Sequence, residues 1–469
     1  MLIPKLLKEF NSVFENNGFK AYLVGGAVRD IFLNKKETDW DVATNATPQD
    51  VMRIFKFVVP TGFEHGTVTV HFKKQEIEVT TFRTESGYSD GRHPDKVNYA
   101  ATIEEDLSRR DFTMNAIAVN LKDGSVVDPF DGKGDIKRRL IRTVGNPHER
   151  FMEDGLRPIR ALRFASQLEF KIDEATFKEI ANQDVQKKIQ SISIERFRDE
   201  FEKIMRSPLP SVGLKLMEET KVLDFFIPEL LECKNCLQSD YRDLHKFDVL
   251  NHLYYACDGG PQDKLNVRIA ALFHDIGKPK AKKIVKQLVL DGEKNDGSKK
   301  EIETITFYNH EKYSAEITEK ILVRLKFPNQ FINNVCLLIR EHMFHYESNW
   351  SDAAVRRFIM RAGYENLEDL YDLRLADIYG MRNEKVNLLY SQNIELLLEL
   401  KKRIAEIMEN QNALSLKALA VNGKDLIAMG IKPGKQLGTI LQHLLDCVIE
   451  DPSLNNKERL LEIVEKMDK

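Results

Sequence analysis

At 469 residues the chain exceeds one ordinary domain. Hydrophobic residues make up 42% and charged residues 30%, which suits a soluble globular protein. With 70 basic against 73 acidic residues the formal net charge is −3. This excludes a uniformly basic nucleic-acid coat and leaves only local patches, such as Lys137–Arg139, Lys278–Lys286 and Lys401–Arg403.

The N-terminal stretch MLIPKLLKEFNSVF mixes apolar and charged residues and has no signal-peptide core. No run of about 20 apolar residues occurs, so a cytoplasmic chain without a membrane partner is expected. Helical patterns over Pro4–Phe14 and Pro48–Phe55 accompany two strand patterns, Val68–Phe72 and Ile77–Phe82, joined by Lys73-Lys74-Gln75. After Glu149 strand signals nearly vanish and amphipathic segments such as Ile194–Met205 and Ala315–Leu325 take over. Leu288–Lys300 is polar and reads as a surface loop or hairpin insertion. The glycine-bearing run Leu414–Gly438 suggests a separate small helical tail. The expected class is α+β, with a small mixed sheet first and an all-helical remainder. The five cysteines, Cys233, Cys236, Cys257, Cys336 and Cys447, are too sparse for a disulfide framework. Cys233 and Cys236 form a lone C-x-x-C, a weak zinc signal without a second pair.

The densest chemistry lies in LVGGAVRD, Leu23–Asp30, followed by TDWD, Thr38–Asp41. Gly25 and Gly26 stand between a strand and a helix pattern, where backbone can approach a phosphate. Asp39 and Asp41 are two apart and share one face of a strand. Paired carboxylates repel unless a cation joins them, and Mg²⁺ prefers such hard oxygen ligands. Glu78 on a neighbouring strand supplies the third carboxylate of a two-metal site, with Glu76 as runner-up. The rival reading of D-x-D alone is a solvated acidic strand edge.

Downstream, Asp154 and Arg157 are spaced to share a helix face. Asp offers acceptors and Arg donors, a pair that fits the amine and ring nitrogen of cytosine and of adenine but not uracil or guanine. An ordinary surface ion pair is the alternative. Pro158 requires the helix to start near Asp154 or to bend. Arg160 and Arg163 continue at three-residue steps and could hold phosphates, or pair with acids such as Glu153. Arg109, Arg110, Asp111 and Asn115 form another polar set.

Together these stretches resemble a known family. LVGGAVRDIFLNKKETDWDVAT is similar to the signature of class II CCA-adding enzymes and bacterial poly(A) polymerases. RRDFTMNAIA resembles its ribose-selecting motif, DPFDGKGDI its hinge, and EDGLRPIRALRFASQLEF its nucleotide-selecting motif. The resemblance implies addition of C, C and A to the tRNA 3′ acceptor end from CTP and ATP, with Mg²⁺. It implies catalysis by Asp39, Asp41 and Glu78. Nucleotide binding would fall to Gly25, Gly26, Arg29, Arg110, Asp111, Asn115, Asp154, Arg157, Arg160 and Arg163, with Arg110 and Asp111 on the ribose 2′-OH. The polar loop Ser86–Val97 resembles the flexible loop of A-adding members, with Asp90 and Arg92 as a switch. The domain plan is a head to residue 145, a neck over 146–210, a body over 211–400 and a tail over 401–469.

A second constellation is ALFHDIGKP, carrying His274-Asp275. With His252 and Asp377 it gives the H…HD…D order of HD-superfamily metal phosphohydrolases. Imidazole and carboxylate suit Mn, Fe, Ni, Zn or Mg, and His310, His342 and His345 could ligate a second metal. This resemblance implies 2′,3′-cyclic phosphodiesterase or phosphatase activity. Two other readings stay open: A-addition or poly(A) synthesis, and an HD phosphohydrolase with an RNA-binding head. A homodimer through the helical part is a candidate assembly.

Overall fold

The computed structural model describes residues 3–35, 39–63, 66–86, 96–238, 247–290, 299–382, 392–409 and 416–467. The chain divides into two compact units, Met1–Pro228 and Glu229–Lys469. The expected α+β class holds.

The first unit contains a seven-stranded sheet. Its strands are β1 (Ala21–Val24), β2 (Trp40–Thr44), β3 (Val58–Gly62), β4 (Thr67–Phe72) and β5 (Gln75–Thr81), joined, after the separate hairpin β6 (Arg83–Ser86) and β7 (Lys96–Tyr99), by β8 (Ala118–Asn120) and β9 (Val126–Val127). The order is β3-β4-β5-β2-β1-β8-β9, and β2 runs parallel to β5. The period-two pattern works as expected: Val68, Val70, Ile77 and Val79 are buried. The β4–β5 turn is tighter than predicted, because Gln75 already pairs with Phe72. Lys73 and Lys74 both take positive φ (50° and 68°), as a two-residue primed turn requires.

Helix α1 (Lys5–Asn16) buries Leu7, Phe10 and Phe14, and Phe10 stacks on Phe55 at 4.8 Å. Helix α2 (Gly25–Phe32) follows β1 directly. Helix α3 (Pro48–Ile54) starts at a Thr47–Asp50 capping box and α4 (Ile103–Ser108) at a Thr102–Glu105 box. Beyond α5 (Gly132–Arg138), α6 (Pro147–Glu153), α7 (Leu156–Leu168), α8 (Glu174–Ile180), α9 (Gln183–Gln190), α10 (Ile194–Met205), α11 (Pro210–Glu219) and α12 (Leu223–Phe226) are helical as predicted. The exception is a short parallel pair, β10 (Leu140–Ile141) with β11 (Lys171–Ile172). Phe197 of α10 stacks on Phe226 at 3.8 Å.

The second unit comprises α13 (Val249–Gly259), α14 (Leu265–Phe273), α15 (Lys278–Ala281), α16 (His310–Arg324), α17 (Asn329–Glu341), α18 (Asp352–Ala362) and α19 (Leu367–Arg382). Strands β12 (Lys283–Leu290) and β13 (Lys299–Thr306) pair antiparallel, and residues 291–298 of the expected polar insertion lie outside the described residues. Helices α20 (Gln392–Glu409), α21 (Gly423–Ala428), α22 (Lys435–Glu450) and α23 (Lys457–Met467) complete it. Leu426, Leu444, Val448, Leu460 and Val464 form an apolar cluster there, against which Met360 of α18 also packs. No helix among the described residues is long and apolar enough to cross a membrane.

Candidate functional site

In the first unit β1 delivers the chain to Gly25, which opens α2 at φ +67°. A Cβ there would stand 2.9 Å from Arg110 Nη1 and 3.4 Å from Asp41 Oδ2, so glycine serves both the backbone angle and the close approach. Asp41 lies directly opposite Glu78 in the β2–β5 register. Asp39 is exposed, one residue before β2. Burial, then repulsion from Glu78, pushes the Asp41 carboxyl up to about 6, with Asp39 adding and Arg110 opposing. Glu76 instead is exposed and lies 3.7 Å from His71.

Asp41 and Glu78 border a cleft of about 370 Å³ lined also by Arg110, Asp111, Asp154, Arg157, Arg160 and Arg196; Asp39 is not in its lining. Asp111 Oδ2 accepts from Arg160 Nε (2.9 Å) and Nη2 (2.7 Å), and its Oδ1 accepts from Asn115 (3.0 Å) and the Phe112 amide (2.8 Å). Burial alone would raise this carboxyl, but Arg160 and Asn115 hold it well below the usual carboxylate range. Arg29 donates to Asn115 Oδ1 at 2.8 Å, so both reach the cleft through Asp111 and do not line it. Arg163 is not brought to the cleft wall. It is buried, with Nε 2.6 Å from Glu200 and its guanidinium 3.7 Å from the Phe164 ring centre. Glu153 pairs with Arg157 and Arg150, not with Arg160.

Asp154 and Arg157 do not share a helix face. Asp154 is extended (φ −146°, ψ 114°) in the break between α6 and α7. Pro158 therefore sits in the first turn of α7, where proline costs nothing. Asp154 Oδ1 accepts from the Leu156 amide at 2.9 Å and Oδ2 from Arg196 Nη2 at 2.7 Å. Arg157 Nη1 donates to Glu153 and to the Arg150 carbonyl (3.1 Å), and Nη2 to the Arg109 carbonyl (3.0 Å). Arg196 is the residue that sequence reasoning missed. Its α10 segment looked merely amphipathic, and nothing local links it to Asp154. Asp90 and Arg92 lie outside the described residues.

The second unit gathers histidines scattered along the sequence. His252 comes from α13, His274 and His342 end α14 and α17, His310 begins α16, and Asp377 comes from α19. His252 Nε2 and His274 Nε2 lie 3.1 Å apart. Both face Asp275 Oδ2 (3.4 and 3.3 Å) and Asp377 Oδ1 (3.3 and 3.5 Å). A side chain at Gly380 would meet Ala256 and the His252 carbonyl at 2.9 Å, so glycine lets α19 bring Asp377 against α13. Burial alone would lower His274, but Asp275 and Asp377 raise it to about 10, whereas burial and the nearby His274 lower His342 to about 3. Among the described residues, the metal-competent groups are His252–His274–Asp275 and Asp275–His310–His342. Neither contains a cysteine. His345 is not with them: it is 78% exposed and faces Glu347 at 3.4 Å.

A glycine-opened helix, strand-borne carboxylates and an arginine-lined cleft define the first unit as a nucleotidyltransferase head. Residues 21–142 match the family described as "Poly A polymerase head domain". Residues 169–234 match "Probable RNA and SrmB-binding site of polymerase A", and residues 298–464 match tRNA nucleotidyltransferase domain 2. The CCA-adding enzyme of Pediococcus pentosaceus is 35% identical over 456 residues, spanning 97% of this chain and 96% of that one. That of Enterococcus faecalis is 35% identical over 99% of this chain and 97% of its own. The crystal structure of the Bacillus stearothermophilus CCA-adding enzyme in complex with CTP superposes with a TM-score of 0.71 at 27% identity, covering 99% of this chain and 98% of that chain. The chain belongs to the CCA-adding enzyme family.

Proposed function

We propose that the first unit adds C, C and A to the 3′ end of tRNA, using CTP and ATP and releasing pyrophosphate. The observation that carries this is a single cleft holding Asp41 and Glu78 beside Asp154 and Arg157. The RNA 3′-OH attacks the α-phosphorus, the bond to the bridging oxygen breaks, and pyrophosphate leaves. Asp41 and Glu78, opposite each other on β2 and β5, with the exposed Asp39 one residue before β2, are hard oxygen donors of the kind Mg²⁺ takes. Such ions, when bound, acidify the attacking hydroxyl and neutralise the triphosphate.

Base choice falls to side chains already fixed by other partners. Arg157 has five N–H donors, and its protein bonds leave Nε and one Nη2 proton for a base. Asp154 accepts one bond on each oxygen and keeps a lone pair on each for an exocyclic amine. Uracil and guanine would set acceptor against acceptor and donor against donor. Arg110 and Arg160 supply positive charge for the triphosphate. Asp111 already accepts four bonds, so reading a ribose 2′-OH requires it to exchange one of them.

The test offers each nucleotide singly to a tRNA transcript lacking CCA. Only CTP should extend it. Incorporation of UTP as readily as CTP would sink the base-reading assignment. For the second unit we propose a divalent cation on His252, His274, Asp275 and Asp377, serving phosphate-ester hydrolysis. Its imidazole-rich donors suit Mn, Fe, Ni or Zn as well as Mg. The head, neck, body and tail boundaries at residues 145, 210 and 400 remain the working division.

A further inference from the structure

We infer that the head's sheet holds the last nucleotide of the RNA strand beside the carboxylates, with its ribose on the hydroxyl pair Thr67–Thr80 and its base on Tyr99. This site rests on the nucleotidyl-transfer reading of the same cleft and assigns the groups that receive the attacking strand.

In the strand order β4-β5-β2-β1, Glu78 on β5 and Asp41 on β2 stand between two flanks. On the β1 flank, Gly25 lies against Arg110, where the triphosphate finds positive charge. On the other flank, Thr67 of β4 pairs with Thr80 of β5, and both line the cleft. Thr80 is two residues beyond Glu78, so the two side chains leave the same face of the sheet. In-line displacement sets the attacking hydroxyl opposite the departing pyrophosphate. With the triphosphate toward Gly25 and Arg110, the attacking strand comes from the threonine flank.

The Thr67 and Thr80 hydroxyl oxygens lie 3.0 Å apart. Each hydroxyl carries one proton and two lone pairs, and their mutual bond uses one of the two protons. Neither hydroxyl makes another hydrogen bond among the described residues. One O–H and several lone pairs are left, and a ribose 2′-OH, itself donor and acceptor, matches both. Valine would serve these strands equally well, so the hydroxyls are what threonine adds.

Tyr99 supplies the second contact. Gly66 leads into Thr67 at φ +79°, and a Cβ there would meet the Tyr99 ring at 3.8 Å. The ring is 55% exposed, and its partner across the β6–β7 hairpin, Arg83, lines the cleft. An exposed ring beside such a cleft is a platform on which any base can stack. That tolerance suits a strand whose last nucleotide changes from one addition to the next.

The test follows ATP addition by the full chain, with Mg²⁺, to a tRNA transcript ending in CC. The last residue carries either ribose or 2′-deoxyribose, and its 3′-OH is kept in both. The unsubstituted protein should use the ribose end about threefold to tenfold better in kcat/KM. Thr67→Val/Thr80→Val keeps the β-branched shape and should bring the two ends within about twofold, with KM for ATP unchanged. A preference that survives the double substitution, or none in the unsubstituted protein, overturns the ribose assignment. Circular dichroism melting checks that the pair folds, and an unfolded pair is replaced by Thr80→Val alone, judged by the same narrowing. Tyr99→Ala should raise KM for the tRNA about tenfold, and Tyr99→Phe should restore it. An unchanged KM overturns the stacking assignment. No extension by the unsubstituted chain overturns the nucleotidyl-transfer reading and this site with it, whereas extension with either failure above overturns only the site.

Discussion

The carboxylates of the first unit and the histidines of the second answer one demand, positive charge beside phosphate, with different materials. Asp39, Asp41 and Glu78 are oxygen-only and partly open; strand register between β2 and β5 sets Asp41 opposite Glu78, and Asp39 precedes β2. Such a site suits an ion shared with a triphosphate. His252, His274, Asp275, His310 and His342 are buried, with the imidazoles of His274, His310 and His342 oriented by backbone carbonyls. That donor set suits a resident ion. Two adjacent strands suffice for the first centre, whereas the second needs helices packed at glycine contacts.

The comparison can be broken most sharply at Asp41. Asp41→Ala should lower nucleotide addition about 10³-fold or more, since ion-mediated stabilisation is worth several kcal/mol. Divalent-metal binding by the second unit, measured on the same variant, should not change. Joint loss of both would show that the centres are not independent. Arg163→Ala probes the cleft's support and not its chemistry. It leaves Glu200 buried with Lys203 as partner, and should cost about 2–3 kcal/mol in urea denaturation. Discrimination of CTP from UTP should survive it. Arg157→Ala should instead cost about 1–3 kcal/mol of that discrimination, together with some stability, since it strips a donor from the Arg109 and Arg150 carbonyls. Arg196→Ala should erode discrimination by a smaller margin, about threefold to tenfold, because Asp154 keeps its bond to the Leu156 amide. His345→Ala should leave metal content and melting temperature unchanged. A lost ion would contradict its exclusion from the cluster.

Much of the head was legible because its signals are local. The alternation in β4 and β5 predicted which residues turn inward, and the D-x-D spacing on β2 put Asp41 where Glu78 could meet it. The nucleotide-selecting segment departs from the expectation that Asp154 and Arg157 share one helix, because α7 starts at Leu156 and leaves Asp154 outside it. Its pattern stays amphipathic across the break, and only the extended backbone at Asp154 and the turn at Gly155 reveal two helices. Arg163 kept the three-residue rhythm of Arg157 and Arg160, yet Glu200 of α10 captured it. Arg196 gave no signal, because its partner Asp154 lies 42 residues away in the break between α6 and α7. In the second unit the ligand types were legible in order, but their division about Asp275 was not. His345 follows His342 at a helical interval, but α17 ends at Glu341 and the two side chains diverge.

The central claim is that side chains alone direct a fixed sequence onto a tRNA end. It is tested by giving Mg²⁺, CTP and ATP to transcripts ending before CCA, after C and after CC. The account predicts extension of each to the same CCA terminus and then arrest. Extension of only the CC-ending transcript would make this an A-adding enzyme, and long ATP-dependent ladders on unrelated RNA would make it a poly(A) polymerase. Either result would contradict the account.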